Sequence, residues 1–224
     1  MSTAIIAGAS GLTGKALLKR LIASHHYERV ITLERRASAS VSGNHVVLQV
    51  DFNALPTLPP CDDAYCCLGT TITKAGSRVA FRNVDYAAVV NFAKGAREAG
   101  ARQFLVVSAL GASAASSIFY NRVKGEMEDA VAALGFNTVH VFQPALLMGD
   151  RTESRLVERL SIAAFKSITP LLVGGIRKYR PIHVDVVSRA MLTAALNGTN
   201  RTNGGHSTNG ATRYESDLIQ AMGK

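Results

Sequence analysis

No run of apolar residues in this chain approaches the roughly 18 that a membrane-crossing helix needs, so a helical membrane span is excluded. Residues 1–15 form the opening of a folded domain and do not resemble a leader, so no signal peptide is assigned and a cytoplasmic location is expected. Internal repeats and long low-complexity linkers are also missing, and 224 residues suit one domain with a sizeable core. Only three cysteines occur, Cys61, Cys66 and Cys67, without the spacing of metal ligands, and no metal is expected. Cys66 and Cys67 lie in an apolar strand candidate, where thiols act as small hydrophobes. Acidic residues are scarce, 16 against 25 Lys and Arg, for a net charge of +9. The basic residues are scattered and no recognition motif accompanies them, so nucleic acid is not the expected partner. A pull on anionic ligands is the more economical account of the charge.

Short β-branched runs alternate with helical patterns. Strands are expected at Thr3–Ala7, Val30–Leu33, Val46–Val50, Ala64–Leu68, Arg102–Val107 and Thr138–Phe142. Helices are expected from the first glycines to about His25-His26, from about Val79 to Ala99, and from about Ser117 to Leu134. That order predicts an α/β fold, a doubly wound, Rossmann-like parallel sheet with helices on both faces. Beyond Pro144 the pattern loosens, with helices expected at 153–166, 184–196 and 215–222, a loop at 167–181, and loops around one short strand at 197–212. The whole is taken as one domain over residues 1–224, with residues about 145–183 and 198–224 forming a small substrate-side region.

Ligands of such sheets sit beyond the carboxyl ends of the strands. That rim holds Gly8–Gly14, Glu34–Arg36, Asp51, Gly69–Thr71, Ser108 and Pro144. The run Gly8-Ala9-Ser10-Gly11-Leu12-Thr13-Gly14 follows a strand and opens a helix, the layout that grips a dinucleotide pyrophosphate. Gly8 allows the sharp turn, Gly11 lets the backbone approach a phosphate, and Gly14 lets the helix lie close on the sheet. The unpaired amides of the helix's first turn would face the anion, with Ser10, Leu12 and Thr13 in that cradle. Arg35 and Arg36 suit a ribose 2′-phosphate, whereas Glu34 stands where a carboxylate holds a free 2′-hydroxyl. Two guanidiniums against one carboxylate favour NADP, with NAD the alternative. Asp51 is a candidate for the adenine amino group or a simple strand-ending turn before Asn53. Leu68, Gly69, Thr70, Pro144 and Leu147 complete the cofactor-side candidates, and Lys74 could reach a phosphate or substrate.

Tyr120 and Lys124 stand four residues apart on one helix face, preceded by the strand-ending Ser108. A phenol near pKa ~10 is a poor proton carrier at neutral pH, but a neighbouring cation favours its phenolate. Ser108 could hold a substrate carbonyl while Tyr120 moves the proton. The apolar loop residues Leu110, Ile118, Leu146 and Met148 suggest a modest, partly hydrophobic small-molecule substrate.

These features, with Arg180-Pro181-Ile182-His183-Val184-Asp185-Val186-Val187 and Gln143-Pro144-Ala145, resemble the short-chain dehydrogenase/reductase superfamily on its extended or atypical branch. Cys66-Cys67-Leu68-Gly69-Thr70-Thr71, Lys74-Ala75-Gly76 and Gly149-Asp150-Arg151-x-Glu153-Ser154-Arg155 look more closely like the Tat-interacting-protein-like NADPH-binding oxidoreductases. The resemblance covers nearly the whole chain. It implies an NADP-dependent oxidoreductase of a small carbonyl or alcohol, with Ser108, Tyr120 and Lys124 catalytic and Lys124 also holding the nicotinamide ribose. Asn83, in a segment similar to the extended branch's Asn-Val motif, would brace the site, and His183 would cap or pack. Two alternatives stand beside it: a nucleotide-sugar epimerase or dehydratase with bound NAD, and an NADPH-sensing regulator without turnover. Relatives often pair through the long helices, which leaves a homodimer open.

Overall fold

The β-branched runs pair side by side as anticipated. The computed structural model describes residues 2–36, 43–149, 178–197, 206–208 and 210–223. The strands are β1 (Thr3–Ala7), β2 (Arg29–Glu34), β3 (His45–Gln49), β4 (Asp63–Cys66), β5 (Gln103–Val107) and β6 (Thr138–Gln143), then β7 (Leu147–Met148), β8 (Ile182–His183), β9 (His206–Thr208) and β10 (Ala211–Glu215). The main sheet runs β3-β2-β1-β4-β5-β6-β10-β9. Every pairing in it is parallel except that of β9 with β10. The order 3-2-1-4-5-6 reverses direction between β1 and β4, the crevice where doubly wound folds take ligands.

Alternate residues of each strand serve opposite faces. In β1, Ile5 and Ala7 join one core with Ile31, Phe92, Phe104 and Met127, while Ala4 and Ile6 join the other with Leu17, Leu21, Leu105 and Met191. The first core lies under α4 (Val89–Glu98) and α5 (Phe119–Ala132), and the second under α1 (Leu12–Ala23), α6 (Val184–Asn197) and α7 (Ser216–Met222).

Three differences from the expected pattern matter. The long helix anticipated from Val79 to Ala99 follows the short α2 (Ile72–Ala75) but is broken into α3 (Arg78–Arg82), a π-helical stretch at Asn83–Ala88 and α4. One widened turn shifts the apolar pattern by a single residue, a step too small to be read from the spacing of apolar residues. Two strands replace the single one anticipated in 197–212, and β10 extends the sheet in parallel beside β6 while β9 turns back along its edge. The helix expected at 153–166 and most of the loop at 167–181 lie outside the described residues, and β7 pairs with β8 in a separate two-stranded ribbon.

A buried polar network ties α5 to the sheet. Glu128, 1% exposed, accepts from Gln143 Nε2 on β6 at 2.9 Å and from Arg213 Nε on β10 at 2.8 Å. Arg213 also reaches Asp129 at 3.2 Å, so it would not be stranded if Glu128 were lost. Glu128→Ala is expected to cost about 2–3 kcal/mol in urea unfolding, below the usual penalty for breaking a buried pair. A loss under about 0.5 kcal/mol would show the network to be incidental.

Candidate functional site

Where β1 ends, the chain turns at Gly8, whose φ is +84°, and a Cβ there would stand 2.5 Å from the Cys67 carbonyl carbon. Six residues on, in the first turn of α1, a Cβ on Gly14 would lie 2.1 Å from Gly8 O and 2.9 Å from Ala9 Cα, so α1 leans on the strand end with backbone against backbone. Gly11 differs. Its nearest neighbour for a Cβ is Gly8 O at 3.4 Å, an ordinary contact, so nothing within the described chain demands a glycine there. The amide of Gly11 donates to Gly8 O at 3.0 Å, and α1 starts with no side-chain cap and no acidic residue in its first turn. An uncapped helix end carries unpaired N–H groups and a partial positive charge. The bare Gly11 and the uncapped helix start together make a cradle that a pyrophosphate would fit.

Beside the cradle opens a cavity of about 560 Å³. Gly8, Ser10, Gly11, Glu34, Arg35, Asp51, Leu68, Gly69, Thr70, Lys74 and Asn83 line it. Thr13 and Gly14 are buried behind the cradle and Leu12 is half-buried at its edge. Arg36 is exposed and does not line the cavity. Asp51 Oδ1 is engaged in its own turn, accepting from Asn53 N at 2.9 Å and Nδ2 at 3.0 Å. Pro144 is buried with its carbonyl accepting from Leu110 N at 3.0 Å, and Leu147 pairs with Ile182; neither lines this cavity. A larger hollow of about 670 Å³ between residues 53–60 and α4 shares only Asn53 with the site. Size alone therefore does not mark the functional cleft.

Two of the acid/base candidates, Tyr120 and Lys124, lie on α5, and the third, Ser108, follows β5. Tyr120 lies in the first turn of α5, half-buried, with its ring 5.3 Å from that of Phe81. Ser108 follows β5, 6% exposed, and its hydroxyl has no hydrogen-bond partner among the described residues. Lys124 does not point to solvent. Its ammonium forms a buried ion pair with Asp85 Oδ1 at 2.7 Å, both side chains being almost wholly enclosed. Burial opposes the charge on Lys124, but Asp85 and, less strongly, Tyr120 outweigh it and hold the ammonium above its ordinary value. The second oxygen of Asp85 accepts from Thr70 N at 2.9 Å, and a Cβ on Gly69 would stand 3.4 Å from Asp85 Oδ1. The ion pair therefore touches the very turn that lines the cavity. Burial pushes the nearby Cys66 thiol up to about 12, which keeps it a neutral packing group.

Asp85 is the residue that motif reasoning passed over. Its signal was present: Phe81, Asp85, Ala88, Phe92 and Ala96 fall on one buried helical stripe, and a carboxylate there requires a partner. Lys124 carries the complementary signal between the buried Val123 and Met127. His183 acts as a cap, with Nδ1 accepting from Asp185 N at 3.3 Å at the start of α6.

A family model described as NAD(P)H-binding matches residues 8–169, from the first cradle glycine onward. The chain belongs to this family. Among curated relatives of this NAD(P)H-binding protein, HTATIP2 of Rattus norvegicus is 38% identical over 194 residues, covering 84% of this chain and 78% of that one. FMP52-1 of Scheffersomyces stipitis, named mitochondrial, is 32% identical over 202 residues, 86% of this chain and 88% of the relative. The fmp52 protein of Emericella nidulans, also named mitochondrial, is 30% identical over 98% of each chain. Among solved structures, MoeE5 in complex with UDP-glucose and NAD superposes with a TM-score of 0.65 at 16% identity, over 99% of this chain and 81% of that one. A UDP-galactose 4-epimerase superposes at 0.66 and 13% identity, over 94% and 75%. These likenesses establish the Rossmann-like fold shared with extended short-chain dehydrogenases.

The expected cytoplasmic location is corrected by these findings, because relatives matching most of the chain are named mitochondrial. Residues 3–14 are occupied by β1, the glycine turn and the start of α1, and so report on the fold and not on the compartment. Among the described residues no helix is long and apolar enough to cross a membrane.

Proposed function

We propose that this NAD(P)H-binding protein is an NADP-dependent oxidoreductase of the short-chain dehydrogenase type, acting on a small carbonyl or alcohol. The observation that carries the reading is the Ser108 hydroxyl, buried at the end of β5 without a partner among the described residues. A buried hydroxyl left so costs about 1–3 kcal/mol, which a substrate oxygen would relieve. When bound, the nicotinamide supplies or accepts the hydride. Ser108 would donate to the carbonyl oxygen, Tyr120 Oη would give or take the proton, and the Lys124 ammonium would favour the phenolate and hold the nicotinamide ribose. The uncapped start of α1 would neutralise the pyrophosphate. Ile118 and Leu146, 59% and 46% exposed, with the half-buried Leu110 and Met148, suit a partly hydrophobic substrate.

The chain is read as one domain whose substrate side is formed by residues about 145–183 and 198–224. In support, Lys178 and Glu215 form a 3.1 Å ion pair between those two stretches. A mitochondrial location is proposed on the names of the FMP52 relatives.

For the cofactor, the NADP reading now rests on Arg35, which shares the cavity wall with Glu34 while Arg36 stands outside it. Arg35→Ala is expected to weaken NADP binding about 10-fold or more by calorimetry, with NAD affinity within about two-fold, since only the 2′-phosphate needs the guanidinium. If Glu34→Gly tightens NADP sharply while Arg35→Ala changes nothing, NAD is the physiological partner.

The function itself is tested by NADPH oxidation across a panel of small aldehydes and ketones. Turnover supports the oxidoreductase. Tight NADPH binding with no turnover on any member would favour a cofactor-sensing regulator.

A further inference from the structure

We propose that Asp85 is a positioning residue that keeps Lys124 both charged and stationary in a site sheltered from water, and so governs the ease with which Tyr120 ionises. The inference rests on the reading of Tyr120 and Lys124 as the acid/base pair. Its basis is geometric. Lys124 enters from α5 and Asp85 from the π-helical stretch, and their charged atoms meet at 2.7 Å with 5% and 1% of the side chains exposed. The carboxylate is not free to swing, because its other oxygen is held by Thr70 N at 2.9 Å.

A solitary ammonium in such a place would shed its proton, since burial disfavours the charged form and water is not there to replace the lost partner. Lys124 lends its positive charge to Tyr120 only while Asp85 is ionised. The remaining groups around the pair do not substitute for it. Cys66 on β4 is a neutral thiol, and Arg82, exposed on α3, pairs with Glu126 on the surface. Farther along α5, Glu128 is committed to Arg213, while α4 exposes Lys94, Arg97 and Glu98. On β6, burial pushes His140 down to about 4, so it is neutral across the range that matters. Arg78 and Arg122 lie against the Phe119 ring beside Tyr120, and their charge is unchanged by any variant below.

The absence of tryptophan and the presence of only six tyrosines make tyrosinate absorbance a clean reporter. Three of the six, Tyr27, Tyr65 and Tyr214, are pushed up by burial and ionise late. The experiment titrates the apoprotein, taking the signal of Tyr120 as the difference between each protein and its Tyr120→Phe counterpart. Asp85→Asn is expected to move that signal to higher pH by about one unit, because an amide holds the geometry but not the charge. Lys124→Met is expected to do the same, and Asp85→Asn with Lys124→Met together to do no more than either alone. An unmoved signal in Asp85→Asn, or shifts that add in the double variant, would overturn the proposal. Should Asp85→Asn fail to fold, the Lys124→Met and double variants decide: a double variant that titrates like Lys124→Met supports the proposal, and a further shift overturns it, because Asp85 would then act on Tyr120 without Lys124. If neither Asp85→Asn nor the double variant folds, Asp85 is a structural residue irrespective of Lys124 and the proposal falls. Neither substrate nor cofactor enters this titration, so its outcome is separate from the success or failure of the carbonyl panel.

Discussion

Gly14→Ala is expected to destabilise the protein by about 3–5 kcal/mol, whereas Gly11→Val should cost only about 1 kcal/mol yet abolish cofactor binding. The contrast comes from what each new side chain would meet. At Gly14 the methyl would sit 2.1 Å from Gly8 O, and both near neighbours are main chain, which cannot rotate aside. The helix must lift off the strand. At Gly11 the first atom met is 3.4 Å away, so the apoprotein tolerates the change. Any pyrophosphate resting on the uncapped amides of α1 would then face a branched side chain in its own volume. A loss of at least about 100-fold in affinity for both NAD and NADP is expected by calorimetry, alongside a nearly unchanged urea midpoint. Undiminished cofactor affinity in Gly11→Val would remove the phosphate from this turn. A Gly14→Ala protein as stable as the parent would refute the close approach.

Tyr120→Phe is expected to lower turnover by about 1,000-fold while leaving cofactor affinity within about three-fold. The ring is half-buried against Phe81 at 5.3 Å, a contact that phenylalanine preserves, so folding is not at stake. Only the hydroxyl is removed, the group proposed to move the proton. Turnover that survives at more than about a tenth of the parent rate would mean that another group carries the proton. Should the parent itself show no turnover on any carbonyl while binding NADPH tightly, the site holds its cofactor for signalling and not for chemistry.

Much of this architecture could be read from residue order. The six strands from Thr3 to Gln143 fall close to the apolar runs, because a parallel strand buried on both faces must be β-branched and uninterrupted. The glycines were legible because their neighbours in sequence are also their neighbours in space: Gly8, Gly11 and Gly14 form one turn. What was not legible involves distance in the chain. The β9–β10 hairpin gains its place only by pairing with β6, and the Asn-, Gly- and Thr-rich composition around it gives no hint of that. Arg35 and Arg36 are equivalent as letters, yet only the first borders the cavity. Pro144 and Leu147 sit at the anticipated rim but do not line the cavity that holds the glycines. Asp85 needed a three-dimensional question, namely what a carboxylate on the core-facing stripe of a helix could be touching.

The π-helical stretch at Asn83–Ala88 has a broader meaning for how this protein can vary. A surplus residue offsets everything beyond it by about 100° around the helix axis. Upstream, Phe81 meets the rings of Phe119 and Tyr120 at a tilt, while downstream Phe92 packs on Phe104. The widened turn separates a half that lies against the start of α5 from a half that packs on the sheet. Loss of one residue within it would therefore swing the face that meets Tyr120 out of phase with the face that meets Phe104.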